Sequence, residues 1–140
     1  MTFEYILKNN PKMSHLKEEI AHMVKTIIQP AYSNLSLCYL KLEHWSMAIN
    51  FSNQVLQNDP SNVKNLYRRG VARKMSKMFD EAIEDFEKII TYDHEMNAEC
   101  TKQIVECKQL KKEEKKKNKE WAKQFISGYA ADKPEPKPVE

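Results

Sequence analysis

Three polar side chains stand at a spacing that suits the binding of a carboxylate. Lys64 and Arg68 are four residues apart, so on a helix they lie on the same face. Two like charges at this spacing cost a helix about 0.2–0.5 kcal/mol, so an unpaired basic couple favours an anionic ligand. Asn34 lies further up the chain, at an offset from Arg68 that other residue pairs share. Arginine donates two hydrogen bonds to one carboxylate, lysine adds a point charge and asparagine adds a neutral donor.

The basic couple by itself has a simpler interpretation, because most such pairs are ordinary solvated charges on a helix. Whether the couple binds a ligand depends on how the chain is organised around it. If a structural unit repeats at the offset between Asn34 and Arg68, these two residues occupy equivalent positions of successive units and face one concave surface. Leu37 and Val71 are then expected to line the same groove.

The sequence does repeat at the offset that separates Asn34 from Arg68. The matching pairs are Tyr32 and Leu66, Ser36 and Gly70, Leu37 and Val71, Trp45 and Phe79, Ala48 and Ala82, Ile49 and Ile83, Leu56 and Ile90, and Asp59 and Asp93. Each copy contains two runs with helical spacing of apolar residues, which predicts a helix-turn-helix unit. Ser36 and Gly70 are small, as required where two helices approach closely.

These patterns predict an all-α protein, an α-solenoid of helix-turn-helix repeats with a long C-terminal capping helix. Composition agrees, since only two of 140 residues are glycine and 31% are charged. The predicted units are 1–28, the end of a first repeat with a long lead-in helix; 29–62 and 63–96, two repeats; 97–128, a C-terminal helix; and 129–140, a disordered tail.

Several signals mark where the helices begin and end. A preceding helix is predicted to finish over residues 3–7, and Ser14 is expected to cap the lead-in helix. Pro30 removes a backbone donor and should bend that helix. Ser61 is the expected N-cap of the next repeat. The last helix is predicted from about Met96 to Gly128, with its first half covering the apolar face of the last repeat.

Other classes of function are disfavoured. No paired carboxylates, glycine-rich loop or nucleophile constellation is present, so we expect no enzymatic activity, cofactor or catalytic residue in this chain. The cysteines and histidines lack metal-ligand spacing, which predicts reduced thiols and no metal site. They are Cys38, Cys100, Cys107, His15, His22, His44 and His94. A net charge of +3 argues against nucleic acid as a partner. Neither a membrane-spanning segment nor a signal sequence is apparent, so we expect no membrane partner and a location in the cytoplasm or nucleus.

The repeat resembles the 34-residue tetratricopeptide pattern. The matches are Tyr32, Leu35, Tyr39, Ala48 and Pro60 in the first unit, and Leu66, Gly70, Ala82 and Phe86 in the second. Two longer segments, 34–42 and 62–70, and the lysine-rich helix with Trp121 and Phe125 resemble the large FKBP-type immunophilin co-chaperones. The likeness spans about residues 1 to 127.

The resemblance implies a specific ligand. In that family the repeats form a cradle that grips the terminal Glu-Glu-Val-Asp of heat-shock protein 90 or 70 through a two-carboxylate clamp of five positions. Asn34 matches the asparagine of the middle repeat, and Lys64 and Arg68 match the lysine and arginine of the third. The other two positions would precede Met1, as would the peptidyl-prolyl isomerase domain, so either the chain is a fragment or its clamp is incomplete.

The C-terminal helix offers a different partner. Residues 111–119 contain six lysines and two glutamates, and Trp121 and Phe125 follow them. A basic amphipathic helix of this kind is a typical calmodulin target. Glu113 and Glu114 interrupt the positive charge, however, which favours a solvated extension of the helix. The alternative to a chaperone-docking domain is therefore a tetratricopeptide scaffold with another partner, calmodulin included.

Overall fold

In the computed structural model, residues 2, 5, 8–132, 134, 136 and 138 are described, and all the regular structure among them is helical. The elements are α1 (Pro11–Met23), a π-helical segment (Val24–Ile28), α2 (Gln29–Lys41), α3 (Trp45–Asn58), α4 (Val63–Met75), α5 (Phe79–Tyr92), a 3-10 turn (His94–Met96) and α6 (Asn97–Ala131). This confirms the predicted all-α fold. Within the described residues, no helix is both long enough and apolar enough to cross a membrane.

Helices α2 to α6 pack in chain order, as in a tetratricopeptide-like array. Helices α2 and α3 form one hairpin, α4 and α5 form the next, and α3 packs on α4. The first helices of the two hairpins, α2 and α4, also contact each other. This contact is the one that brings the predicted binding residues of separate repeats towards each other.

The two hairpins turn in the same way, at positions that the sequence repeat makes equivalent. Glu43 and Lys77 have positive φ angles of 61° and 63°. In each turn the next residue donates its N–H to a carbonyl five residues earlier: His44 to Tyr39 at 3.0 Å, and Met78 to Arg73 at 2.8 Å. A left-handed residue followed by this bond is a common way to end a helix and satisfy its last carbonyls. The repeat in sequence is therefore also a repeat in backbone conformation.

The predicted close approach at Ser36 and Gly70 is confirmed, and the two hairpins fill it differently. Ser36 is fully buried and its hydroxyl lies 2.7 Å from that of Ser52, which is also buried. At the equivalent place Gly70 faces Phe86, and a Cβ atom at Gly70 would lie only 2.9 Å from Cζ of the ring. In the first hairpin two serines fill the space between the helices, and in the second a glycine makes room for a buried phenyl ring.

Two predicted helix caps are wrong. Helix α1 begins at Pro11 because Asn10 caps it, with Oδ1 accepting from the Lys12 N–H at 3.1 Å, and Ser14 therefore lies inside the helix. Helix α4 is capped by Asn62, whose Oδ1 accepts from the Asn65 N–H at 3.0 Å. The hydroxyl of Ser61 instead donates to the Asp59 carboxylate at 3.3 Å and serves the turn.

The lead-in helix widens to a π-helical turn just before Pro30. From Pro11 to Lys41 the chain is helical throughout, but Val24–Ile28 forms a π turn. Gln29 donates its N–H to the carbonyl of Val24, five residues earlier rather than four. A wider turn accommodates the proline ring and its missing N–H without ending the helix. The helix end predicted over residues 3–7 falls outside the described residues, Tyr5 excepted.

The first half of α6 covers the last hairpin, as predicted. Cys100 and Cys107 are buried against the core. Tyr67 donates to Glu99 at 3.0 Å, and burial together with this bond raises the pKa of Tyr67 to about 12. Beyond this contact the helix continues to Ala131, three residues past the predicted end at Gly128. The disordered tail predicted for 129–140 is therefore wrong at its start, where 129–131 are helical. Residues 132, 134, 136 and 138 belong to no helix or strand, and the other tail residues lie outside the described ones.

Candidate functional site

Arg68 reaches from α4 across to α2. Its Nη1 donates to the main-chain oxygen of Ser33 at 2.7 Å and to the Ser33 hydroxyl at 2.9 Å. The side chain is partly buried, and this burial lowers the pKa of its guanidinium. Because Ser33 immediately precedes Asn34, this contact brings Arg68 to the segment that carries the predicted asparagine.

Lys64 lies on the border of a hollow next to that contact. The hollow encloses about 990 Å³, and both Lys64 and Ser33 line it. Lys25 of the π segment adds a second positive charge and Asp59 a negative one, while Val24 and Val55 supply apolar surface. Lys64 itself is exposed, so its ammonium group can reach a ligand in the hollow or beside it.

The other predicted residues, Asn34, Leu37 and Val71, do not line this hollow. Asn34 is exposed on α2. Leu37 is half-buried, and Val71 is half-buried against the core. Among the described residues, no hydrogen bond joins the side chains of Asn34, Lys64 and Arg68 to one another. Their convergence on one ligand, and the groove role of Leu37 and Val71, stay predictions.

The basic residues around α4 differ sharply in how they are paired. Arg69 and Arg73 both bind the Asp85 carboxylate, at 2.7 Å and 2.8 Å. Lys74 binds Glu106 at 3.0 Å and Lys77 binds Glu114 at 2.9 Å. Within the described part of the chain, Lys64 and Arg68 form no ion pair. The helix thus neutralises the cations on its other faces and leaves two that face α2 and the hollow.

Sequence reasoning missed three residues in this region. Asp85 is fully buried and binds both Arg69 and Arg73. Arg69 and Asp85 are 16 residues apart, the same separation as the bonded pair of Ser36 and Ser52, but this spacing becomes a signal only once the structure has shown that serine bond. Ser33 and Asn65, which contact each other and approach Arg68, carried no comparable signal.

Two of the three cysteines are buried in the core. Cys38 is exposed, whereas Cys100 and Cys107 are buried, and burial raises the pKa of both buried thiols. A raised pKa keeps a thiol protonated and unreactive. The described residues contain no group of three or more side chains arranged to hold a metal ion.

Known proteins resemble this chain over most of its length. FK506-binding protein 59 of Drosophila melanogaster is 35% identical over 128 residues, which is 91% of this chain and 28% of that protein. Peptidyl-prolyl cis-trans isomerase FKBP4 of Bos taurus is 34% identical over 113 residues, or 80% of this chain and 24% of that protein. The chain belongs to the FKBP-type immunophilins.

The immunophilin likeness extends to plants. Peptidyl-prolyl cis-trans isomerase PASTICCINO1 of Arabidopsis thaliana is 38% identical over 68 residues, or 49% of this chain and 11% of that protein. No protein-family model matches the chain. The chain spans about a quarter of the length of the fly and bovine relatives. It corresponds to the helical part of these immunophilins, not to their isomerase domain.

Proposed function

We propose that this chain is a docking domain that binds the acidic C-terminal tail of a partner protein, the terminal Glu-Glu-Val-Asp of heat-shock protein 90 or 70. The observation that carries the proposal is the selective pairing around α4. Four basic side chains there are bound to carboxylates of the chain itself, whereas Lys64 and Arg68 form no ion pair with any residue that the structure describes. Two unpaired cations that face the neighbouring repeat suit an anionic ligand.

The chemistry of the three residues fits a terminal carboxylate. Arg68 has one nitrogen bound to Ser33 and keeps its other donors for a ligand. Lys64 supplies a mobile charge, and Asn34 a neutral donor that helps to orient the carboxylate. A charge-assisted hydrogen bond contributes about 1.5–3 kcal/mol. A short peptide held by two or three of them binds at micromolar level.

The whole protein would use this domain to tether an activity. The relatives carry the names of peptidyl-prolyl cis-trans isomerases and FK506-binding proteins, and this chain matches only about a quarter of the fly and bovine proteins. The docking domain would then bring an isomerase domain elsewhere in the protein to a chaperone in the cytoplasm. An isomerase assay on the 140-residue chain is expected to give no turnover.

The test is a calorimetric titration with a peptide that ends in Glu-Glu-Val-Asp. The free carboxylate form should bind, and the C-terminally amidated form should bind at least tenfold more weakly. Lys64→Ala should weaken binding roughly tenfold to a hundredfold through the loss of one charged anchor. Lys41→Ala is the matched control, because Lys41 is exposed at the far end of α2 and should leave binding unchanged. Equal affinity for the amidated peptide would rule out the carboxylate site.

A second candidate function is calmodulin binding through the end of α6. Trp121 and Phe125 stack with ring centroids 5.4 Å apart and are 65% and 61% exposed. Such a large exposed aromatic pair beside a lysine-rich stretch suits the apolar groove of a calcium-loaded partner. Binding should require calcium and fall at least tenfold in Phe125→Ala. Equal binding in calcium and in chelator would exclude this function without affecting the carboxylate site.

A further inference from the structure

A buried asparagine links the two helices beneath the candidate site. Asn65 of α4 is fully buried. Its Nδ2 donates to the Ser33 hydroxyl of α2 and to Oδ1 of Asn62, each at 2.9 Å. Asn62 Oδ1 also caps α4 by accepting from the Asn65 N–H. A continuous hydrogen-bonded path therefore runs from the start of α4 to Ser33.

The same Ser33 oxygen holds the arginine. Ser33 Oγ accepts from Nη1 of Arg68 at 2.9 Å, and the Ser33 carbonyl accepts from that nitrogen at 2.7 Å. Two acceptors on one nitrogen fix the plane of the guanidinium, because its five donors are held in a rigid fork. Asn65 in turn fixes the position of the hydroxyl.

This polar network is expected to stabilise the fold less than apolar packing at the same place would. Oδ1 of Asn65 is buried without a hydrogen-bond partner in the described structure. A buried polar network that is only partly satisfied is less favourable than apolar packing of similar volume. The pair of Ser33 and Asn65 therefore calls for an explanation other than the strength of the contact between α2 and α4.

We propose that Ser33 and Asn65 are positioning residues, which hold the Arg68 guanidinium in place before a carboxylate ligand arrives. The proposal rests on the carboxylate-binding function above. An arginine that is already ordered loses less conformational freedom when the ligand binds, and the ligand is bound more tightly for that reason. Ser33 and Asn65 act through Arg68 and need not touch the ligand themselves.

The first experiment separates positioning from stability. Ser33→Ala should weaken binding of the free-carboxylate Glu-Glu-Val-Asp peptide about two- to tenfold, and Ser33→Thr, which keeps the hydroxyl, should restore it. Asn65→Leu should weaken binding to a similar extent while leaving the midpoint of urea unfolding unchanged or higher. A merely structural role would lower affinity and unfolding midpoint together, and that result would overturn the proposal.

The second experiment asks whether Ser33 works through Arg68. In the Arg68→Lys background, where the fork is lost but the charge remains, Ser33→Ala should cause no further loss of affinity. An equal loss in both backgrounds would overturn the proposal. So would unchanged affinity of Ser33→Ala when the wild-type chain clearly prefers the free carboxylate, and in that case the docking function would stand. If the wild-type chain does not distinguish the amidated peptide, the docking function itself fails, and the positioning role with it.

NMR can measure how fast the Nη1 group of the Arg68 guanidinium rotates, and this experiment needs no ligand. In the free wild-type chain, rotation of the Nη1 group should be slow because two acceptors hold it. Ser33→Ala should speed this rotation, and Ser33→Thr should not. Fast rotation in the wild-type chain would show that Arg68 is not held in advance and would overturn the proposal, whatever the peptide titrations report.

Discussion

Asp85 shows how one buried carboxylate decides the roles of two arginines. It is fully buried and accepts from Nε and Nη2 of Arg69 and from Nη1 of Arg73. Arg69 also donates to Asn53 of the preceding hairpin at 2.8 Å. The group therefore joins α3, α4 and α5, and it removes two cations from the surface that could otherwise compete with Lys64 and Arg68 for an acidic ligand.

Replacing Asp85 by alanine should destabilise the chain strongly. Two mostly buried guanidinium groups would lose their counter-ion, and breaking a buried pair in this way costs about 3–5 kcal/mol. That is a large part of the roughly 5–15 kcal/mol by which a domain is stable. Asp80→Ala is the control, since its exposed bridge to Lys111 should contribute at most about 1 kcal/mol. Urea unfolding measures both, and similar midpoints for the two variants would contradict the assignment.

The space between the two helices of a hairpin can be filled by different pairs of residues, provided that their side chains together fit it. Ser36 with Ser52 and Gly70 with Phe86 occupy equivalent positions of the two repeats. The serine pair satisfies its hydroxyls by a mutual hydrogen bond. The glycine gives up helix propensity so that a large ring can enter the core.

Gly70→Ala should therefore lower stability despite the better helix propensity of alanine. Its Cβ would lie within 3.0 Å of two atoms of the buried Phe86 ring, and overpacking of this kind costs about 1–3 kcal/mol. The propensity gain of about 1 kcal/mol offsets only part of that. Gly128→Ala in α6 meets no atom within 4 Å and should be neutral or slightly stabilising. Thermal or urea unfolding compares the two, and a stabilising Gly70→Ala would show that the ring moves aside freely.

Helix α6 packs on the last hairpin and pairs its carboxylates with lysines at one end of α4. Ion pairs of Lys74 with Glu106 and of Lys77 with Glu114 join α6 to the end of α4 and the turn that follows it. These contacts neutralise the end of α4 far from Lys64. The net charge of the chain is only +3. Within the described residues Lys64 and Arg68, where α4 begins and passes α2, form no ion pair, and several lysines of α6 are unpaired as well. The placement of charge, rather than its total, is what favours an acidic ligand there.

The sequence alone predicted the repeat and the packing inside each hairpin. The constant offset between matching residues identified the two hairpins and the small residues Ser36 and Gly70, because helical periodicity and short turns are encoded by residues close together in the chain. The helix caps were missed at Ser14 and Ser61. In both places an asparagine one or a few residues away accepts from the first N–H groups of the helix instead. When several polar residues stand close together, the sequence does not show which of them is the cap.

Only the tertiary structure decided which charges are paired and what holds Arg68. Asp85 meets Arg69 from 16 residues away, and Ser33 meets Asn65 and Arg68 from 32 and 35 residues away. Whether such side chains touch depends on the rotation of each helix about its axis and on the rotamers that packing selects, and no local pattern in the chain records either of these.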